Sequence, residues 1–142
     1  MMIERRYRVV LADDHAMFRH GLKSVLVKRD DLEVVGEAAD GLELLTVLAS
    51  AKLSPHMAIL DISMPNLGGL EATSKIKGIY PGMKVLILSM HREKEYVHKA
   101  LSVGVDGYLL KQDSSAELFS AIEKIRQGGV YISPLLSDVD SF

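Results

Sequence analysis

Apolar runs and helical patterns alternate regularly along the chain. Five short, mainly apolar runs predict strands at 7–12, 32–38, 57–60, 85–88 and 108–110. Between them, apolar residues recur every three or four positions, which predicts helices at about 17–29, 42–50, 70–80 and 93–103, and a last one from Ser114 to Gly128-Gly129. Near-continuous apolar strands separated by helices are typical of parallel sheets buried on both faces. The pattern therefore predicts a doubly wound α/β fold with a five-stranded parallel sheet.

Polar residues follow four of the predicted strands. These residues are Asp13 and Asp14, Asp61, Ser89, and Lys111. Because the carboxyl ends of parallel strands line one edge of a sheet, where binding sites form, we expect these side chains to lie together. Each has an ordinary explanation when taken alone: an aspartate after a strand often caps a helix, and a lone lysine or serine is usually solvated. Five of them along one edge favour a functional pocket.

The residue types of this pocket suit phosphoryl chemistry. Closely packed carboxylates raise one another's proton affinity, and a hard divalent cation such as Mg²⁺ relieves that repulsion. Asp14 and Asp61 would bind the cation directly, and Asp13 would act through water. Asp61 could then be ionised and attack phosphorus to give an acyl phosphate. The Lys111 ammonium and the Ser89 hydroxyl each suit one phosphoryl oxygen.

Composition narrows the class of protein. The chain has 142 residues, enough for one domain that buries about 70% of its unfolded surface. With 17 basic and 19 acidic residues, its net charge of −2 predicts no general nucleic-acid or membrane surface. The lack of cysteine excludes disulfides and thiolate metal sites and favours a reducing compartment. No signal-peptide pattern or membrane-length apolar run is present, so we predict a soluble cytoplasmic domain.

Three further residues belong to local patterns. His15 lies next to the predicted pocket and could tune it, although a solvated loop histidine is the commoner case. The five histidines include no pair at i and i+4, which argues against a zinc site. Ser114 and Glu117 match the capping-box pattern and predict the start of the last helix.

The ordered set of strand-end residues resembles the receiver domain of two-component response regulators. That domain has a CheY-like fold with strand order 2-1-3-4-5. The resemblance covers about residues 7–134 and is closest to the NarL/FixJ (LuxR-type) branch. The motifs that carry it are residues 10–22 with Asp13-Asp14-His15, residues 60–65 with Met64-Pro65, the run Gly68-Gly69-Leu70-Glu71, residues 107–111, and residues 128–134. The resemblance implies a receiver domain at 1–134, with 135–142 as the start of a linker to a DNA-binding domain that is absent from this chain.

The resemblance also implies a role for each site residue. Asp61 matches the phosphoacceptor, and Asp13 and Asp14 match the acidic pair that binds Mg²⁺. The backbone carbonyl of Ser63 matches the remaining protein ligand to the metal. Lys111 matches the lysine of the family pattern.

Two more positions match the family's switch. Ser89 matches the hydroxyl residue that bonds the phosphoryl group, although threonine is commoner there. Tyr108 matches the switch aromatic, and strand alternation places it on the face opposite Lys111, toward the fourth helix. Gln112 follows Lys111 where many receivers have proline, so a cis bond after the lysine cannot be assumed.

These matches imply a signalling switch that is activated by phosphorylation. Asp61 would accept a phosphoryl group from a sensor histidine kinase with Mg²⁺, and the altered surface around Ser89 and Tyr108 would promote homodimerisation and regulate transcription in the parent protein. Such a protein is not an enzyme in the usual sense, since it catalyses only its own phosphorylation and slow dephosphorylation.

Three alternatives remain open on the sequence. The first is a stand-alone receiver that acts through protein partners. The second is a Mg²⁺-dependent phosphohydrolase with an aspartyl phosphate, disfavoured because Ser63 stands where such enzymes place a second aspartate. The third is an FMN-binding module, disfavoured because Asp13-Asp14 would repel a phosphate after the first strand.

Overall fold

The structure is a computed structural model that describes residues 6–50, 52, 54–134 and 136. Within these residues, strands and helices alternate along the chain. Their bounds are β1 Tyr7–Ala12, α1 Ala16–Leu26, β2 Leu32–Ala38, α2 Gly41–Leu48, β3 Met57–Asp61, α3 Gly69–Ile79, β4 Lys84–Ser89, α4 Lys94–Ser102, β5 Gly107–Leu110, α5 Ser114–Arg126 and β6 Tyr131–Ile132. One 3₁₀ turn, Lys111–Asp113, joins β5 to α5.

The strands form one parallel sheet with the order β2-β1-β3-β4-β5-β6. The predicted order of the first five strands is confirmed, but the prediction of a five-stranded sheet is wrong by one strand. The sixth strand pairs with β5, with Gly107 opposite Tyr131 and Tyr108 opposite Ile132. Its two residues are too few to show an alternating pattern, so its pairing with β5 could not be predicted from local sequence.

The core consists of two apolar layers, one on each face of the sheet. Because successive strand residues point to opposite faces, Val10 and Ala12 belong to one layer, and Val9 and Leu11 to the other. The first layer contains buried residues of α2, α3 and α4, and the second contains those of α1 and α5. Helices on both faces explain why the strands are apolar throughout, and they leave the strand ends as the place for polar groups.

The first helix ends three residues before the predicted boundary of 17–29. The backbone N–H of Lys28 donates to Val25 and that of Arg29 to Leu26, so the chain tightens into turns after Leu26. The Arg29 side chain then donates to the Asp31 carboxylate, with Nε 3.1 Å from Oδ1. Side-chain pairing in the turn replaces the last predicted helical turn.

The predicted capping box at α5 does not form. The Ser114 hydroxyl donates to the Lys111 carbonyl at 2.9 Å. The Glu117 carboxylate accepts from the Tyr131 hydroxyl at 3.0 Å and from the Ser133 hydroxyl at 3.4 Å. The Ser114 side chain therefore makes a local contact within the turn, whereas Glu117 makes tertiary contacts that anchor the segment containing β6.

One further prediction concerns the end of the chain, and another concerns membranes. The predicted linker, 135–142, lies outside the described residues except for Leu136, which is buried in the layer of α2, α3 and α4. Within the described part of the chain, every helix is too short or too polar to cross a bilayer.

Gly69 is expected to be essential for the close contact between α3 and the end of β3. A Cβ atom at this position would lie 2.1 Å from the Asp61 carbonyl oxygen, so Gly69→Ala must displace backbone. We expect it to lower the free energy of unfolding by about 1–3 kcal/mol. Gly78 lies in the same helix with nothing within 4 Å of its added Cβ, and Gly78→Ala should raise stability by about 0.5–1 kcal/mol. Urea unfolding measures both, and equal gains in the two variants would contradict the packing argument.

Candidate functional site

Three strand ends bring an ammonium between two buried carboxylates. The Lys111 Nζ lies 2.8 Å from Asp13 Oδ2 and 3.4 Å from Asp61 Oδ2. These side chains are 10%, 6% and 5% exposed, respectively. Asp13 follows β1, Asp61 ends β3 and Lys111 follows β5, because the parallel strands all deliver their carboxyl ends to one edge. The charged pocket predicted from the sequence therefore includes these three residues.

Asp14 and His15 complete a cluster of possible metal ligands. One ligand atom each from Asp13, Asp14, His15 and Asp61 can be chosen so that all four lie within 4.8 Å of one another. Two like charges 4 Å apart repel by about 4 kcal/mol at an effective dielectric constant of 20. One ammonium cannot balance three carboxylates, so the donor set fits a divalent cation, and its carboxylate oxygens fit a hard one.

The backbone and ring of His15 contact the acidic pair. Its backbone N–H donates to Asp13 Oδ1 at 2.8 Å, and its Nδ1 lies 3.2 Å from the same oxygen and 3.6 Å from Asp14 Oδ1. The ring is 63% exposed, as a solvated loop histidine would be. His15 thus belongs to the edge of the pocket, at its solvent side.

The surroundings of Asp61 favour its neutral form. Burial raises the pKa of Asp61, and the charge of Asp13 adds to this, while Lys111 and a hydrogen bond from the Ser63 backbone lower it. The net direction is upward, because desolvation is the largest contribution. A cation in the pocket would oppose this upward shift and favour the ionised form of Asp61.

Ser63, Ser89 and Tyr108 converge on His91 in the loop between β4 and α4. The Ser89 hydroxyl accepts from the His91 backbone N–H at 2.9 Å, and the Tyr108 hydroxyl donates to the His91 carbonyl at 2.8 Å. The Ser63 hydroxyl lies 3.3 Å from His91 Nε2. The His91 ring also stacks on Tyr96 of α4, with centroids 4.0 Å apart. This loop therefore links the edge of the site to α4.

Tyr108 is fully buried and lies on the side of the sheet that α4 covers. Burial raises the pKa of Tyr108 to about 12, so its hydroxyl remains protonated and donates to the loop. On the other side, the Lys111 ammonium lies 4.5 Å from the centroid of the Phe18 ring of α1. Lys111 and Tyr108 thus occupy opposite faces. The bond that follows Lys111 is trans, like all peptide bonds in the described residues.

Arg19 of α1 is a site residue that the sequence did not predict. Its Nη1 donates to the backbone carbonyl of Asp13, and its Nε donates to Glu37 of β2 at 3.0 Å. Its position in the first turns of α1, close in sequence to the acidic pair, was the available signal. A contact with a backbone carbonyl depends on how the chain leaves β1, which residue spacing does not reveal.

Comparison with known proteins gives consistent matches along most of the chain. The family model described as the response regulator receiver domain matches residues 9–123. The chain is 38% identical to the transcriptional regulatory protein DegU of Brevibacillus brevis over 131 residues, which cover 92% of this chain and 55% of DegU. It spans 55–60% of the length of the first curated relatives it matches.

Solved structures share the fold as well, as two examples show. A LuxR-family two-component response regulator from Aurantimonas sp. SI85-9A1 has a TM-score of 0.89 and 32% identity, covering 96% of both chains. RcsB from Salmonella enterica serovar Typhimurium, bound to promoter P1flhDC in the presence of phosphomimetic BeF3-, has a TM-score of 0.85 and 28% identity. That match covers 94% of this chain and 66% of RcsB. The chain therefore belongs to the response regulator receiver domains of the NarL/LuxR type, a family whose general function is phosphorylation-dependent signalling.

Proposed function

We propose that Asp61 is the phosphoacceptor and that the site binds Mg²⁺ through Asp13, Asp14, Asp61 and the backbone carbonyl of Ser63. The observation that carries this proposal is the placement of Lys111 between two buried carboxylates, with a third carboxylate in the same cluster. Asp61 is the member of this set that ends a buried strand and also contacts the ammonium. The bound cation would neutralise charge on the phosphoryl oxygens.

The chemistry of this chain's own residues follows from their positions. A carboxylate oxygen of Asp61 forms a bond to phosphorus while the bond from phosphorus to the donor's imidazole nitrogen breaks, and that bond's electron pair leaves with the imidazole. Lys111, held by Asp13, offers its N–H groups to a phosphoryl oxygen. Ser89 lies at the end of the neighbouring strand β4 and would donate its hydroxyl to another.

Movement of Ser89 would then reach Tyr108. The Ser89 hydroxyl now accepts from the His91 backbone, and the Tyr108 hydroxyl donates to the carbonyl of the same residue. If Ser89 turns toward a phosphoryl group, the loop that contains His91 loses one of these two hydrogen bonds, and the surface of α4 changes. Such coupling between two arrangements is what a regulatory switch requires.

A direct test of the function uses the whole 142-residue chain with Mg²⁺ and a small acyl-phosphate donor, read by intact mass. One added phosphoryl group supports the proposal. Failure of the folded chain to gain it, in the presence of Mg²⁺, counts against phosphoacceptor chemistry.

We also propose that the parent protein is a cytoplasmic transcription regulator that is phosphorylated by a sensor histidine kinase and then dimerises. DegU is named as a transcriptional regulatory protein, and the RcsB structure contains promoter DNA. Both are longer than the region that this chain matches, and in this proposal the DNA-binding domain lies in that additional length. Sedimentation of the chain with and without an acyl-phosphate donor tests dimerisation, and an unchanged mass of the phosphorylated chain would contradict it.

Asp14→Asn is expected to weaken Mg²⁺ binding by about tenfold or more, since loss of even an indirect metal contact commonly costs that much. Asp14 is the most exposed of the three carboxylates, at 34%, so its replacement should disturb packing least. Lys111→Met removes a charge from the same pocket without removing a ligand and should still bind Mg²⁺. Titration followed by NMR chemical shifts measures both affinities. Parent-like binding in both variants would show that the ligand set is wrong.

A further inference from the structure

The Arg19 side chain links β2 to the residues that follow β1, where the acidic pair Asp13–Asp14 lies. Its guanidinium donates through Nη1 to the backbone carbonyl of Asp13 and through Nε to Glu37 Oε1 at 3.0 Å. Its side chain is 15% exposed, which is low for an arginine on a surface helix. We propose that Arg19 is a positioning residue that fixes the Asp13–Asp14 peptide and thereby sets both carboxylates for Mg²⁺. The inference rests on the function proposed above.

The Asp13 carbonyl is the first backbone acceptor after the end of β1. The Asp13 N–H still donates to the Ala38 carbonyl at 3.1 Å, but the register between β1 and β2 ends at Ala12 opposite Ala38. The peptide that joins Asp13 to Asp14 is therefore outside the strand ladder. A guanidinium bonded to its oxygen supplies the restraint that the sheet no longer gives.

Arg19 is itself held by a charged partner. Glu37 accepts from Arg19 and also from Lys23 Nζ, at 3.0 Å each. Burial alone would raise the pKa of Glu37, but the hydrogen bonds from Lys23 and Arg19 bring it below the ordinary value. Glu37 is thus ionised at neutral pH. Its carboxylate on β2 holds the Arg19 guanidinium in place, and the guanidinium in turn restrains the chain at the end of β1.

The charge of Arg19 and its positioning of the Asp13–Asp14 peptide should affect the affinity for Mg²⁺ in opposite directions. A positive charge beside a cation site disfavours the cation, so charge alone predicts that loss of Arg19 strengthens Mg²⁺ binding. Positioning predicts the reverse, because an unrestrained peptide allows the two carboxylates to leave the geometry that a small, octahedral ion demands. The direction of the change therefore separates the two explanations.

The test compares Arg19→Met with Lys23→Met in the whole chain. Both substitutions remove one positive charge and one ion pair with Glu37 from the same face of α1, but Arg19 also donates to the Asp13 carbonyl. We expect Arg19→Met to raise the Mg²⁺ dissociation constant by about tenfold. Lys23→Met should keep the parent's affinity. NMR shift titration of the unphosphorylated chain gives these constants without any turnover, and thermal melts without Mg²⁺ check that each variant is folded.

Two further variants make every outcome decisive. Arg19→Lys keeps the charge but replaces the two guanidinium nitrogens that contact Glu37 and Asp13 with a single nitrogen, so it should also weaken Mg²⁺ binding. This variant provides the test if Arg19→Met does not fold. Parent-like or tighter Mg²⁺ binding in a folded Arg19 variant, with Asp14→Asn impaired, overturns this inference alone. If the parent chain itself shows no Mg²⁺-dependent shifts at Asp13, Asp14 or Asp61, the proposed function fails instead.

Discussion

Asp61→Asn is expected to abolish phosphoryl acceptance. The amide keeps the shape of the side chain, but its oxygen is no longer the anionic nucleophile that attack on phosphorus needs. With Mg²⁺ and an acyl-phosphate donor, the parent chain should gain one phosphoryl group and the variant none, as read by intact mass. The matched control is Asp30→Asn on the exposed turn between α1 and β2, which should be labelled like the parent.

Labelling of folded Asp61→Asn at the parent's rate would overturn the assignment of the acceptor. Because Asp13 and Asp14 lie in the same ligand cluster, digestion and mass mapping of the modified peptide would then identify which carboxylate reacts. Loss of labelling together with retained Mg²⁺ binding would instead assign the defect to the nucleophile rather than to the metal.

The sequence was sufficient for the five main strands and for the charged pocket at their ends. Both follow from local signals, namely apolar runs of strand length and polar residues where those runs stop. Parallel pairing then requires the ends of β1, β3 and β5 to meet, which brings Asp13, Asp61 and Lys111 within hydrogen-bonding distance.

What the sequence did not predict depends on tertiary contacts. The strand β6 has two residues and exists through its pairing with β5 and the anchoring of Tyr131 by Glu117. The same contact explains why the prediction of a capping box at α5 is wrong, because the Glu117 carboxylate accepts hydrogen bonds from hydroxyl groups of another segment. The role of Arg19 depends on a backbone carbonyl, and every residue type has one, so no motif could reveal it.

Lys111→Met is expected to destabilise the chain by about 3 kcal/mol at neutral pH without Mg²⁺, since removing one partner of a buried ion pair leaves its charge uncompensated. The lysine is 10% exposed and contacts two carboxylates that are about as buried. The Lys111 charge is the largest influence that lowers the pKa of Asp61. Without it, the effect of burial is less opposed, and the pKa of Asp61 rises further. The cost thus comes from holding Asp61 and Asp13 ionised in the same pocket.

The sign of the pH dependence follows from this. A carboxyl whose folded pKa is raised above its unfolded value contributes stability below the unfolded pKa, and this is lost as pH rises through the folded pKa. The deficit of Lys111→Met should therefore be larger at about pH 7 than at about pH 4 in urea unfolding. Adding Asp61→Asn to the same chain should recover most of the loss at neutral pH, and Mg²⁺ should stabilise the single variant more than the parent. A deficit that is independent of pH and remains in the double variant would mean that Lys111 stabilises the fold through packing on Phe18 rather than through charge.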